Sequence, residues 1–243
     1  MELKNVLNSA CALLALFSSL VSGKEAPVLP EGYKLVYRQD FKNDQSMGDF
    51  IATDKRVWKW GTEKGIGFIE HFAKSKYKYE VRSPYNIALL GGIELKDFIL
   101  EAKLRQTGKE YGHRDMCVFY GFRDRSHFYY THIASVTDNH AHNCFIVNGR
   151  PRTKISHETT KGHKWSSREW HDFRLVREFG TGKIEVYLND LENPIMKAKD
   201  KTFEWGRIGF GSFDDTGRIA EVRLYAPDSR KSEGKDPFAK GRQ

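Results

Sequence analysis

The sequence predicts an all-β chain folded as a two-sheet antiparallel β-sandwich, a jelly roll. Three observations predict it. Roughly a dozen short runs rich in β-branched and aromatic residues are separated by turn signals at the spacing of an antiparallel sandwich. No segment carries the 3.6-residue apolar period of an amphipathic helix. No repeat of fixed period points to a solenoid or propeller. Two packed sheets are the natural answer, because they leave few strand edges open.

Residues 1–23 read as a secretory signal peptide. Lys4 precedes the apolar run from Cys11 to Val21, and small residues close it at Gly23. That run is too short for a membrane span. The chain is therefore expected to be secreted or periplasmic. Residues 24–32 form a Pro-containing linker, 33–226 one sandwich domain, and 227–243 a disordered basic tail.

Within the domain, strands are expected at 33–41, 56–61, 66–73, 76–81 and 85–91. Segment 98–106 (FILEAKLRQ) alternates apolar and polar residues throughout, the pattern of a half-buried strand. Segments 116–123 and 127–134 flank the short polar turn Asp124-Arg125-Ser126, and 143–148 is closed by Gly149-Arg150-Pro151. A short strand at 154–157 precedes a polar loop at 158–164. Strands 170–178 and 183–188 make a hairpin about Phe179-Gly-Thr-Gly182. Strands at 194–198, 207–213 and 219–225 close the domain.

The stretch 113–154 concentrates the unusual chemistry. It holds five of the nine histidines and both cysteines outside the leader. Histidine, tyrosine and arginine pack a core poorly, so their clustering on three consecutive strands suggests the floor of a binding surface. In an extended strand, Tyr130 and His132 share a face, as do His142, Cys144, Ile146 and Asn148 on the next. Arg150, Arg152 and Lys154 follow directly. The turn length decides the rest: a three-residue turn sets Tyr120 beside Tyr130, a four-residue turn beside Tyr129. In a meander, Cys117 and Cys144 lie two strands apart, about 9–10 Å. A disulfide needs Cα atoms within about 7 Å, so two free, buried cysteines are expected.

The net charge of +8 on an exported chain suggests an anionic polymer, and acidic polysaccharide suits that compartment better than nucleic acid. His140-Ala-His142, with His132, could offer imidazoles to zinc, but the segment reads better as a hydrated loop, since zinc sites hold three or four ligands in firm geometry. Trp58 and Trp60 alternate on one strand and read as a core pair rather than a sugar platform.

Several of these residues resemble the concanavalin A-like lectin/glucanase superfamily, over about 33–226. Asp40-Phe41, Trp58 and Ser83–Leu90 resemble its N-terminal strands. Tyr120-Gly-Phe-Arg-Asp124 followed by Phe128-Tyr-Tyr130 resembles its laminin-G-like and 3-keto-disaccharide-hydrolase-like branches. Trp170–Arg174, Ile184–Tyr187, Gly209–Gly211 and Val222–Tyr225 resemble their C-terminal half. The resemblance implies a jelly roll but not one activity, because the superfamily holds lectins, hydrolases, lyases and adhesion modules. It also implies the option of a structural calcium ion, for which Asp214, Asp215 and Asp40 are the candidates. Asp214-Asp215-Thr-Gly217 reads equally as a hairpin turn. No other cofactor is expected.

The superfamily's retaining glucanases need two carboxylates about 5–5.5 Å apart. Their Glu-x-Asp-x-x-Glu signature is absent: Glu94, Asp97 and Glu101 are wrongly spaced, and Glu185 stands alone. A polysaccharide lyase instead needs a cation or amide for the uronate and a proton-transfer pair. His132, His142 and Tyr130 are the candidate catalytic residues, and Tyr120, His140, Asn148, Arg150, Arg152 and Lys154 the candidate substrate contacts. The alginate-lyase motifs are absent, so no residue carries over by homology. The expected protein is monomeric and engages a polysaccharide on its concave sheet. A binding module, a lyase or hydrolase, and a laminin-G-type adhesion domain all stay open.

Overall fold

The computed structural model describes residues 28–239 except Glu233 and Lys235. The expected signal peptide lies outside the described residues, as do residues 24–27 of the linker. Two antiparallel sheets form a sandwich. The seven-stranded sheet runs in the order Thr153–Lys154, Asn143–Asn148, His127–Ala134, Asp115–Asp124, Arg207–Ser212, Asn86–Leu90 and Phe50–Ala52. The nine-stranded sheet runs Ser156–Thr159, Met196–Lys199, Lys183–Leu188, His171–Glu178, Phe98–Gln106, Gly217–Ala226, Ile66–His71 and Trp58–Glu63; Lys34–Gln39 pairs along the far half of Gly217–Ala226. Among the described residues no helix is long and apolar enough to cross a membrane.

The two sheets obey different patterns. Along Phe98–Gln106 and His171–Glu178 buried positions alternate with half-exposed ones, so one face meets the core and the other water. Asp115–Phe122 is buried at every position. Its inward residues Met116, Val118 and Tyr120 join the core between the sheets. Its outward residues Cys117 and Phe119 join a second apolar layer with Ile87, Leu89, Phe122, Phe128, Tyr130, Phe145 and Val147. Val81, Phe213 and Phe238 cover that layer.

This cover corrects two expectations. Residues 76–81 are a loop rather than a strand. The loop lies over the outer face, held by Arg125, which donates to the Tyr77 hydroxyl at 3.0 Å and the Lys78 carbonyl at 2.5 Å. The C-terminal segment, expected to be disordered, is docked where it is described. Arg230–Lys231 pairs with Ile93–Glu94, and Phe238 packs edge-on against Phe122 and Tyr77.

Two crossings also differ from the sequence expectation of a hairpin turn at 214–217 and one short strand at 154–157. Asp214–Thr216 does not turn back within one sheet. It carries the chain from Arg207–Ser212 in the seven-stranded sheet to Gly217–Ala226 in the other. Residues 153–159 likewise split between the sheets at Ile155, whose N–H donates to the Cys144 carbonyl. The hairpin about 179–182 is as expected, with Glu178 opposite Lys183. Cys117 and Cys144 are free and buried, and they face opposite sides of one sheet: Cys144 the inter-sheet core, Cys117 the outer layer.

A cleft over the seven-stranded sheet

The turn between Asp115–Asp124 and His127–Ala134 resolves the register. Tyr120 lies opposite Tyr129, and Phe119 opposite Tyr130. A bulge between Tyr120 and Asp124, with Gly121 at φ +55°, produces this pairing. Cys117 then falls directly opposite His132, and Asp115, two residues earlier, shares their face.

These three residues sit at or beside the floor of a cleft of about 320 Å³ on the outer face. Its polar lining comes from Asp115, His132, His113, His140, Arg152 and Arg82. Tyr79, Tyr85, Tyr111, Phe213 and Asp214 form its walls. His132 is buried, and burial lowers its pKa to about 3, with help from Arg152, His113 and His142 nearby. Its Nδ1 accepts from the His142 N–H at 3.3 Å, so the ring's proton sits on Nε2, which lies 3.7 Å from an Asp115 carboxylate oxygen. Asp115 is held well above the ordinary carboxylate range, first by burial and then by the charge of Asp215. The Phe213 N–H (3.1 Å) and the Cys117 thiol (3.0 Å) both donate to it. Asp215 accepts from the Tyr111 hydroxyl at 2.7 Å and the Asp115 N–H at 2.9 Å.

The rim is stitched by Asp138. One of its oxygens accepts from the N–H groups of His140 and Ala141, at 2.6 and 2.9 Å. The other lies 2.7 Å from His113 Nε2. Arg152 donates to the His140 carbonyl at 3.2 Å, and its guanidinium lies over Phe213 (4.4 Å) and Phe145 (5.2 Å). Stacking of this kind holds a cation in place while leaving its hydrogen-bond donors available.

Of the residues the sequence nominates, His132, His140, Arg152 and Asp214 meet in this cleft. Tyr130 is on the same face but wholly covered, stacked on Phe145 at 5.2 Å. His142 lies behind His132. It is fully buried at φ +53°, with Nδ1 accepting from the Ala134 N–H and Nε2 against the Thr160 hydroxyl at 2.9 Å. The face expected to carry His142, Cys144 and Ile146 into the groove therefore meets the inter-sheet core, and Phe145 and Val147 point outward instead. Tyr120 too belongs to the inter-sheet core, stacked on Tyr129 at 5.3 Å. Asn148, Arg150 and Lys154 are exposed at the strand ends and do not line the cleft.

Asp214 is ion-paired with Lys74 at 3.3 Å, and Asp215 is buried behind the cleft wall. Asp40 belongs to the other sheet's surroundings, paired with Arg38 and Arg223. Trp58 is buried against His71, and Trp60 donates to the Phe41 carbonyl at 2.8 Å. Sequence reasoning missed Tyr79, Arg82, Tyr85, Tyr111, His113, Asp115 and Phe213 of the lining, and Cys117 beside it. The signal was His113-Arg-Asp115, whose second and fourth successors Cys117 and Phe119 continue one strand face.

No family model matches the chain, and no curated protein matches it. Solved structures do. The carbohydrate recognition domain of Emp47p superposes with a TM-score of 0.53 at 13% identity, covering 84% of this chain and 99% of that one. A Bacillus subtilis protein of unknown function with a galectin-like fold gives 0.53 at 11% identity, over 79% and 97%. Peanut lectin gives 0.51 at 10% identity, over 83% and 99%. The fold is thus that of the concanavalin A-like jelly rolls.

Proposed function

We propose that this is an exported carbohydrate-binding protein that holds an acidic polysaccharide in the cleft over its seven-stranded sheet. One observation carries the reading. Arg82, Arg152 and three histidines converge with Tyr79, Tyr85 and Tyr111 in a single open depression. Aromatic rings offer apolar faces to pyranose rings, and arginine offers paired donors to carboxylate or sulfate. The lectin folds it resembles, Emp47p's recognition domain among them, favour a glycan over other anionic polymers. The leader at residues 1–23 and the net charge of +8 agree with an extracellular, anionic partner.

A polysaccharide lyase is the second reading. It is favoured by His113, whose Nε2 lies 2.7 Å from Asp138 on the cleft rim, the spacing of an oriented general base.

The test is incubation of the mature chain with a panel of acidic polysaccharides, following the ultraviolet absorbance of unsaturated uronate, reducing ends, and retardation in polymer-containing gels. Retardation without product is the expected result. Arg152→Ala should weaken binding at least about tenfold, as befits loss of a fixed cation. Rising absorbance on one polymer would replace the binding module with the lyase. Absence of both retardation and product across the panel would remove the glycan reading.

A further inference from the structure

We infer that Asp115, Cys117 and His132 form a binding site for a borderline-soft divalent cation of the zinc type, with its remaining coordination position open to the cleft. The inference does not depend on the glycan reading. Among the described residues this is the one group of three metal-ligating side chains whose donor atoms all lie within 4.8 Å of one another. All three are buried. Their donors are one sulfur, one imidazole nitrogen and one carboxylate oxygen, the mixture zinc accepts.

Two of the three donor–donor distances are close to those of tetrahedral coordination, and the third is within 4.8 Å. Metal–ligand bonds of about 2.0–2.3 Å place neighbouring ligand atoms about 3.3–3.6 Å apart. The Cys117 sulfur and the Asp115 oxygen are 3.0 Å apart, and His132 Nε2 is 3.7 Å from that same oxygen. Each pair needs a shift of about half an ångström or less. The backbone is already fixed for this. Cys117 and His132 are a direct cross-strand pair, and Asp115 is pinned by its own N–H to Asp215 and through its carboxylate to the Phe213 N–H. Such outer contacts orient ligands in metal sites.

Asp115 is 1% exposed, and among the ion pairs found here its one basic partner is His132, itself 3.7 Å away. Asp115 takes its hydrogen bonds from the Phe213 N–H and the Cys117 thiol, so a dication at this point would take the place of the thiol proton. A dication would balance a carboxylate and a thiolate. Entry is available because Asp115 and His132 line the open cleft.

One adjustment is required, and it is measurable. His132 Nδ1 now accepts from the His142 N–H. A cation on Nε2 moves the ring proton to Nδ1, so that contact must open. Loading should therefore speed hydrogen exchange at the His142 amide.

The experiment uses the tag-free full chain, reduced and stripped with chelator. Expected results are one zinc ion per chain by elemental analysis, and a thiolate-to-metal charge-transfer band on cobalt(II) substitution. Cys117→Ala and His132→Gln should each lower zinc affinity at least tenfold, while Cys144→Ala leaves it unchanged. Substoichiometric zinc, a cobalt spectrum without the thiolate band, or equal affinity in Cys117→Ala would each overturn the site. If the variants fail to fold, the cobalt spectrum and His142 amide exchange of the unaltered chain decide.

Discussion

At the scale of the residue, His71 shows how burial alone sets a chemical property. It packs against Trp58 at 5.0 Å between ring centres, and among the described residues neither ring nitrogen has a hydrogen-bond partner. Burial lowers its pKa from 6.5 to about 3. The unfolded chain therefore binds one more proton than the folded chain between those values, so stability falls as pH drops below about 6.5 and levels off near 3. His71→Leu should flatten the urea-unfolding stability profile across that window by up to about 1.4 kcal/mol per pH unit. An unchanged slope would mean that His71 takes up its proton equally in the folded and unfolded states. His132, His142 and His163 are likewise lowered by burial and steepen the same acid limb. Asp115, raised by burial, works in the opposite direction.

At the scale of the element, the bulge after Tyr120 decides which side chains meet. Gly121 has φ +55°, and a Cβ there would lie 2.9 Å from the Tyr129 ring. Gly121→Ala combines a disfavoured backbone with a clash, and should cost about 1–3 kcal/mol in chemical denaturation. The same bulge explains how far the site could be read in advance. Alternation made Phe98–Gln106 and His171–Glu178 legible, because each buries every second residue. His132 was legible as a polar group in an aromatic strand, and His140 and Arg152 as polar groups in the segments flanking the next one. The Cys117–His132 pairing was not, since it depends on turn length and on two extra residues in the bulge that no local pattern announces. Residues 76–81 misled for a related reason. Their aromatic content serves to cover a sheet rather than to extend one, as the Tyr77–Phe238 contact shows.

At the scale of the whole molecule, the loop before Asn86–Leu90 and the C-terminal segment act together as a partial third layer. Phe238 reaches Phe122 at 5.6 Å and Tyr77 at 5.9 Å. Phe238→Ala should lower stability by about 1–2 kcal/mol and increase binding of a hydrophobic dye, because it uncovers the outer aromatic face. A variant with native stability and no added dye binding would show that this contact contributes nothing. The cleft lies on that same face, where the layer gives way to Arg152, His132 and Asp115. Polar groups can therefore be buried on one side of a strand whose other side packs in the main core.

A sheet covered on both faces also has no spare positions. Asp115–Phe122 offers no side chain to water, whereas His171–Glu178 offers every second one. Saturation mutagenesis with a folding readout should therefore draw two different pictures of the same molecule. The His171–Glu178 strand should show tolerance rising and falling with a period of two, and Asp115–Phe122 an unbroken block of intolerance. Sequence drift in this chain is thereby expected to fall more on the outer face of the nine-stranded sheet than on the strands beneath the cleft.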